Sequence, residues 1–126
     1  MIEPLLIEAT ALSPKIVFDG HKGIFEISGN SYMNNPVQHY EILFTWLKKY
    51  VDNPLPTTTF IFNANYINSV SRKLMNEIIK LLSQIQKKGE TLIIEWHYSN
   101  DDEDDMLQFG QQLEQLNSVK FIYVNY

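Results

Sequence analysis

Residues Asn63 to Leu74 read Asn-Ala-Asn-Tyr-Ile-Asn-Ser-Val-Ser-Arg-Lys-Leu. Amide and hydroxyl side chains at Asn68, Ser69 and Ser71 are followed at once by two cations, Arg72 and Lys73. An apolar, β-like run precedes them and the longest helix-periodic segment follows, so they fall at a strand-to-helix transition. The first amides of a helix lack intrahelical partners and carry partial positive charge. A hydroxyl placed there can cap the helix, act as a nucleophile or accept a phosphate. A phosphate on Ser69 would add about −1.5 to −2 charges at neutral pH. It would meet helix N–H groups, with Arg72 three residues on and Lys73 nearby. A plain cap by Asn68 or Ser69, worth about 1 kcal/mol, is what the local pattern alone favours.

Other chemistry is weaker. Five acids run from Asp101 to Asp105, including Asp102 and Asp104. A calcium loop would need glycine at its sixth position and glutamate at its twelfth, where Met106 and Gln112 stand. Acids at a helix N-terminus are favoured by its dipole, and they also offer a negatively charged docking face. His21, His39 and His97 have no metal-ligand spacing. Ser69, His97 and an acid could be written as a triad, but there is no Gly-x-Ser-x-Gly elbow and no glycine-rich oxyanion loop. Phosphate-loop and dinucleotide fingerprints are absent too. The chain reads as a non-enzyme with no cofactor. Tyr32 and Tyr66 fall in connections, where exposed aromatics would mark a partner surface.

Bulk properties narrow the class. The 126 residues suit one domain spanning 1–126, with 44% hydrophobic and 20% charged residues. No cysteine is present, which excludes disulfides and thiolate chemistry. A net charge of −5 argues against binding nucleic acid through its phosphates. No signal peptide or membrane-length apolar run is seen, so the expectation is a cytoplasmic protein without direct membrane insertion.

The elements that must position these residues follow from periodicity. Leu5–Ala9 reads as a short strand. Lys15–Asp19 and Ile24–Ser28 alternate around Gly20-His21-Lys22-Gly23, a β-hairpin. Asn35-Pro36-Val37-Gln38 reads as a helix start, with Asn35 as N-cap and Gln38 as its capping-box partner. The apolar stripe Tyr40, Leu43, Phe44, Leu47 and Tyr50 or Val51 follows, and this helix should cover the hairpin. Thr57–Ala64 is a strand with Phe60, Phe62 and Ala64 on one face. The helix after Ser69 carries an apolar stripe at 70, 74, 78, 81, 82 and 85, and Lys87-Lys88-Gly89 ends it. Thr91–Trp96 reads as a buried strand. Met106, Phe109, Gly110, Leu113 and Leu116 mark a third helix, and Val119–Val124 a last strand. The order is β-β-β-α-β-α-β-α-β: an α/β fold with an antiparallel N-terminal hairpin, a parallel C-terminal half and about three helices.

The whole chain resembles the SiaC-like family of small bacterial regulatory phosphoproteins, which look like STAS-type anti-sigma-factor antagonists. The resemblance is carried by Ile7-Glu8-Ala9-Thr10 with Ser13-Pro14, by Phe18-Asp19 and Gly23, and by Gly29-Asn30-Ser31-Tyr32. It continues through Trp46-Leu47, Tyr66-Ile67-Asn68-Ser69 with Lys73, and Trp96-His97-Tyr98 with the acids before Met106. It implies a STAS-like fold and a switch in cyclic di-GMP and biofilm signalling. In the family, the Ser or Thr after the Tyr-x-Asn element is phosphorylated by a partner Ser/Thr kinase and dephosphorylated by a PP2C-type phosphatase. The unphosphorylated form binds and activates a diguanylate cyclase. Ser69 holds the matching position, with Ser71 as rival acceptor. Tyr66, Asn68, Ser69, Arg72 and Lys73 become the expected partner surface, joined by Asp101, Asp102 and Asp104. Val70 departs from the family's second small hydroxyl residue, and Met33-Asn34-Asn35 from its Pro-Glu-Asn element. The competing expectation is a constitutive adaptor that docks a basic partner through the acidic 101–105 face.

Overall fold

The structure, a computed structural model, describes residues 3–33, 35–64, 66–99 and 105–125. Its elements are β1 (Leu5–Ile7), β2 (Lys15–Asp19), β3 (Ile24–Ser28), α1 (Val37–Asp52), β4 (Thr57–Asn63), α2 (Ser69–Lys87), β5 (Thr91–Tyr98), α3 (Asp105–Asn117) and β6 (Phe121–Asn125). They build one six-stranded sheet in the order β1-β2-β3-β4-β5-β6. The first two pairings are antiparallel and the last three parallel. The expected element order and mixed sheet are therefore what the chain forms, with strand ends differing by at most two residues.

Turn chemistry explains the boundaries. In the β2–β3 hairpin, Asp19 Oδ1 accepts from the amides of His21 (3.0 Å) and Lys22 (3.2 Å). Gly23 closes the turn at φ +68°, where a side chain would be strained. Helix α2 ends in a Schellman motif: Glu90 N–H donates to Ile85 O at 3.2 Å and Gly89 N–H to Gln86 O at 2.9 Å, with Gly89 at φ +87°. The α1 start departs from the capping-box expectation. Pro36 occupies the N-cap position in near-helical conformation, and no side chain caps it. Proline's fixed φ supplies the entry to the helix instead.

Each β-α-β step moves one strand along in the same direction, and right-handed crossovers then place all three helices on one face. There α1 packs on α2 and α2 on α3. The core is the layer between: Ile16, Phe18, Phe25, Phe60, Ile94 and Trp96 from the sheet meet Tyr40, Leu43, Leu47, Ile78, Ile79 and Leu82 from the helices, all fully buried. As expected, α1 lies over the hairpin, with Trp46 and Tyr50 against Phe25 at ring-centroid distances of 5.2 and 4.7 Å. Two stripe expectations fail. On α2 the buried set is Ser71, Met75, Ile78, Ile79, Leu82, Ser83 and Ile85, while Val70 is exposed. The stripe is rotated because a small hydroxyl residue, Ser71, takes the inward place nearest the strand ends. On β5 only one face is fully buried, since Ile93 and Glu95 are half-buried on the side without helices. Among the described residues no helix is long and apolar enough to cross a membrane.

Close packing over Trp96 is the tightest constraint. Its ring stacks on Phe121 and meets Phe109 edge-on, and its Nε1–H donates to Met106 O at 2.8 Å. A Cβ on Gly110 would lie 2.7 Å from Trp96 Nε1. Gly110→Ala is expected to lower stability by about 1–3 kcal/mol, read as a shift in urea midpoint at unchanged m-value.

Candidate functional surface

The parallel pairing of β3 and β4 continues past both strand ends and builds the site. Ser31 bridges Ile67, its N–H donating to Tyr66 O and its carbonyl accepting from Asn68 N–H, each at 3.0 Å. The two loops after these strands are thereby locked side by side. Asn30 reinforces them: its Oδ1 accepts from Tyr66 N–H at 2.9 Å and its Nδ2 donates to Tyr32 Oη at 3.2 Å. The Tyr32 and Tyr66 rings stack at 4.9 Å with 17° between planes. Both are exposed, at 43% and 42%. An exposed aromatic pair held by backbone is the kind of rigid apolar surface that partners use.

Asn68 is the N-cap of α2. It is extended (φ −70°, ψ 168°), and its Oδ1 accepts from Ser71 N–H at 3.0 Å. Its Nδ2 donates to Met33 O at 2.8 Å, tying the cap to the neighbouring loop. Ser69 and Ser71 open the helix but face opposite ways. Ser71 is fully buried, and its Oγ lies 2.7 Å from Ser31 Oγ in a shared hydrogen bond. Ser69 is exposed, and its hydroxyl makes no hydrogen bond among the described residues. Beneath them Tyr40 Oη is buried without a hydrogen-bond partner among the described residues. Burial pushes its pKa up, and the nearby Ser31 and Ser71 hydroxyls partly offset this, although neither meets hydrogen-bond geometry. A cavity of about 10 Å³ remains, lined by Ser31, Tyr40, Met75, Trp96 and Met106 among others, room for about one water.

The two cations diverge. Arg72 turns toward α3: Nε donates to Ile67 O at 2.8 Å, the guanidinium pairs with Asp105, and it sits 4.7 Å over the Phe109 ring. Lys73 stays exposed. Tyr66, Asn68, Ser69 and the base of Arg72 are thus brought together at the strand ends, with Lys73 following on the helix. Asp101, Asp102 and Asp104 lie outside the described residues. His97 pairs with Glu95 at 3.1 Å, and no hydrogen bond joins it to Ser69, so the triad arrangement is not formed among the described residues. Sequence reasoning missed Ser31, Asn30 and the Arg72–Asp105 pair. The available signal was Gly29-Asn30-Ser31-Tyr32, a polar tetrapeptide after one parallel strand that mirrors Tyr66-Ile67-Asn68-Ser69 after the next.

The SiaC family regulatory phosphoprotein profile matches residues 7–126. An uncharacterized protein, PA14_02130, of Pseudomonas aeruginosa (strain UCBPP-PA14) is 25% identical over 99 residues, 79% of each chain. SiaC of Pseudomonas aeruginosa superimposes with a TM-score of 0.85 at 20% identity, covering 99% of this chain and 100% of that one. SiaC from the structure of the diguanylate cyclase SiaD in complex with its activator SiaC, from the same organism, superimposes at TM-score 0.88. That match has 22% identity and covers 97% of this chain and 99% of that one.

Two outcomes follow from the site's wiring. Asn68→Ala removes the α2 cap and the tie to Met33 together, and is expected to cost about 1–2 kcal/mol in urea unfolding, with faster amide exchange at Ser71. His39, beside Tyr40 on α1, has a buried Nε2 without a partner among the described residues. Burial lowers its pKa from the ordinary 6.5, so the unfolded chain binds this proton first. Its stabilising effect is full above 6.5 and is lost as pH falls from there toward the lower folded value. The thermal midpoint of His39→Gln should therefore fall less than wild type across that window.

Proposed function

We propose that this chain, which belongs to the SiaC family of regulatory phosphoproteins, is a single cytoplasmic signalling domain whose docking surface is switched by phosphorylation of Ser69. The observation that carries the choice of residue is the contrast at the start of α2. Ser69 is exposed with an uncommitted hydroxyl, whereas Ser71 is fully buried against Ser31. A kinase must bring the acceptor hydroxyl into its own active site, and an exposed residue at a helix start can be presented that way. Reaching Ser71 would require unwinding the first turn.

The proposed mechanism is local electrostatics. Unmodified, the surface around Ser69 is partly apolar, formed by the stacked Tyr32 and Tyr66 and by exposed Val70, with Lys73 at its edge. A partner that buries Ser69 can pack there. The phosphate brings about −1.5 to −2 charges, and burying it without paired cations is costly. Arg72 is already held by Asp105, Phe109 and Ile67 O, which leaves Lys73 as the nearer free cation among the described residues. The helix N–H groups stabilise the phosphate on the free protein. Modification therefore favours the unbound state without refolding the domain.

The partners are proposed by kinship: a Ser/Thr kinase and a PP2C-type phosphatase that set the phosphate, and a diguanylate cyclase as target of the unphosphorylated form. SiaC of Pseudomonas aeruginosa is described as the activator of the diguanylate cyclase SiaD. The test is to co-express the chain with its genomically neighbouring kinase and map phosphate by peptide mass spectrometry. Phosphate at Ser69 is expected, with loss of modification in Ser69→Ala. Ser69→Glu should weaken cyclase binding ten-fold or more, a change of about 1.4 kcal/mol or above, while Ser69→Ala binds like wild type. Phosphate confined to another residue would overturn the assignment.

A further inference from the structure

Parallel sheets are generally covered on both faces, yet here all three helices share one. The opposite face carries a registered row across every strand, Leu6–Val17–Glu26–Ile61–Glu95–Ile122. Its ends are open, with Leu6 67% and Ile122 51% exposed, and Ile24 is exposed in the adjoining row. We infer that this helix-free face is a second docking surface, separate from the Ser69 surface, and that its occupant is a cationic amphipathic helix of another protein.

Charge selects the occupant. On this face the described strands carry Asp19, Glu26 and Glu95 against Lys15, and the His97 ring leans on Glu95. Glu26 and Glu95 flank Ile61 on the neighbouring strands, about 10 Å apart at the usual strand spacing. Apolar contact is thus framed by carboxylates at the centre of the row. A second copy of the chain would set these acids against their own kind. A helix with leucine or isoleucine on one face and lysine or arginine along its flanks satisfies both parts. The row spans about 24 Å, the length of about 16 helical residues, and helix on sheet is the packing the other face already uses. The site lies on the sheet's broad side, whereas Ser69 lies at the strands' carboxyl end, so the two surfaces can be occupied independently.

The probe is a synthetic Leu/Lys amphipathic peptide of about 18 residues, titrated into the ¹⁵N-labelled full chain beside a Leu/Glu peptide of the same pattern. Shift changes are expected at Val17, Glu26, Ile61 and Ile93, from the Leu/Lys peptide alone. Affinity should fall at least ten-fold in Ile61→Lys and in the milder pair Glu26→Gln with Glu95→Gln, each checked for an unchanged thermal transition. Ser69→Glu should leave this binding intact. Shifts centred on the helices or on the Ser69 loop would overturn the inference. So would equal binding of the Leu/Glu peptide, no binding, or a concentration-dependent dimer that Ile61→Lys abolishes.

Discussion

The buried hydroxyl contact between Ser31 and Ser71 decides how the start of α2 is oriented. Successive helical residues are rotated by about 100°, so holding Ser71 inward turns Ser69, two positions earlier, to nearly the opposite side. One interior contact thereby makes one serine structural and the other available. The contact is in step with the shifted apolar stripe. Met75, Ile78, Ile79 and Leu82 line up beneath Ser71, and Val70 is left outside. A pair of hydroxyls is an apt anchor, because either can donate to the other, and an unmet buried partner would be costly.

That anchor is part of a larger lock. Ser31 is held by its main chain to Tyr66 and Asn68, and Asn68 holds Ser71 and Met33. The loops after β3 and β4 are consequently an extension of the sheet. Rigidity here suits the proposed docking surface, which would act by shape and charge. The stacked tyrosines are tied down by Asn30 in the free chain, which reduces the ordering entropy that binding there would cost.

Much of this is legible in the sequence. Alternation in Lys15–Asp19 and Ile24–Ser28, the glycine turn between them and the long stripe of α2 set the element order, because period and turn chemistry are local properties. The strand-to-helix stretch around Ser69 was legible for the same reason. The direction of Ser71 was not. Serine carries no hydropathy signal strong enough to place it inward, and its partner Ser31 lies forty residues away. The spacing of Arg72 from Ser69 points to contact with a phosphate there. Its engagement with Asp105 and Phe109 depends on how α3 packs, which no local pattern encodes. The single-sidedness of the sheet was also hidden, since Thr91–Trp96 reads as a buried strand until the direction of the crossovers is known.

These constraints bear on how a small domain can be switched at all. Its packing leaves little slack among the described residues: Gly110 has no space for a methyl group against Trp96, and α2 is pinned at both ends by Asn68 and the Gly89 motif. A modification that worked through refolding would have to disrupt those contacts together. Adding charge to an exposed hydroxyl disrupts none of them. It changes only the solvation cost of covering the surface, which acts in the bound complex and is nearly absent in the free protein. The rigid fold and the proposed surface switch are for that reason complementary: the more firmly Ser71 and Asn68 hold the helix start, the more fully the free energy of a phosphate on Ser69 would be expressed as lost partner affinity rather than absorbed by local unwinding.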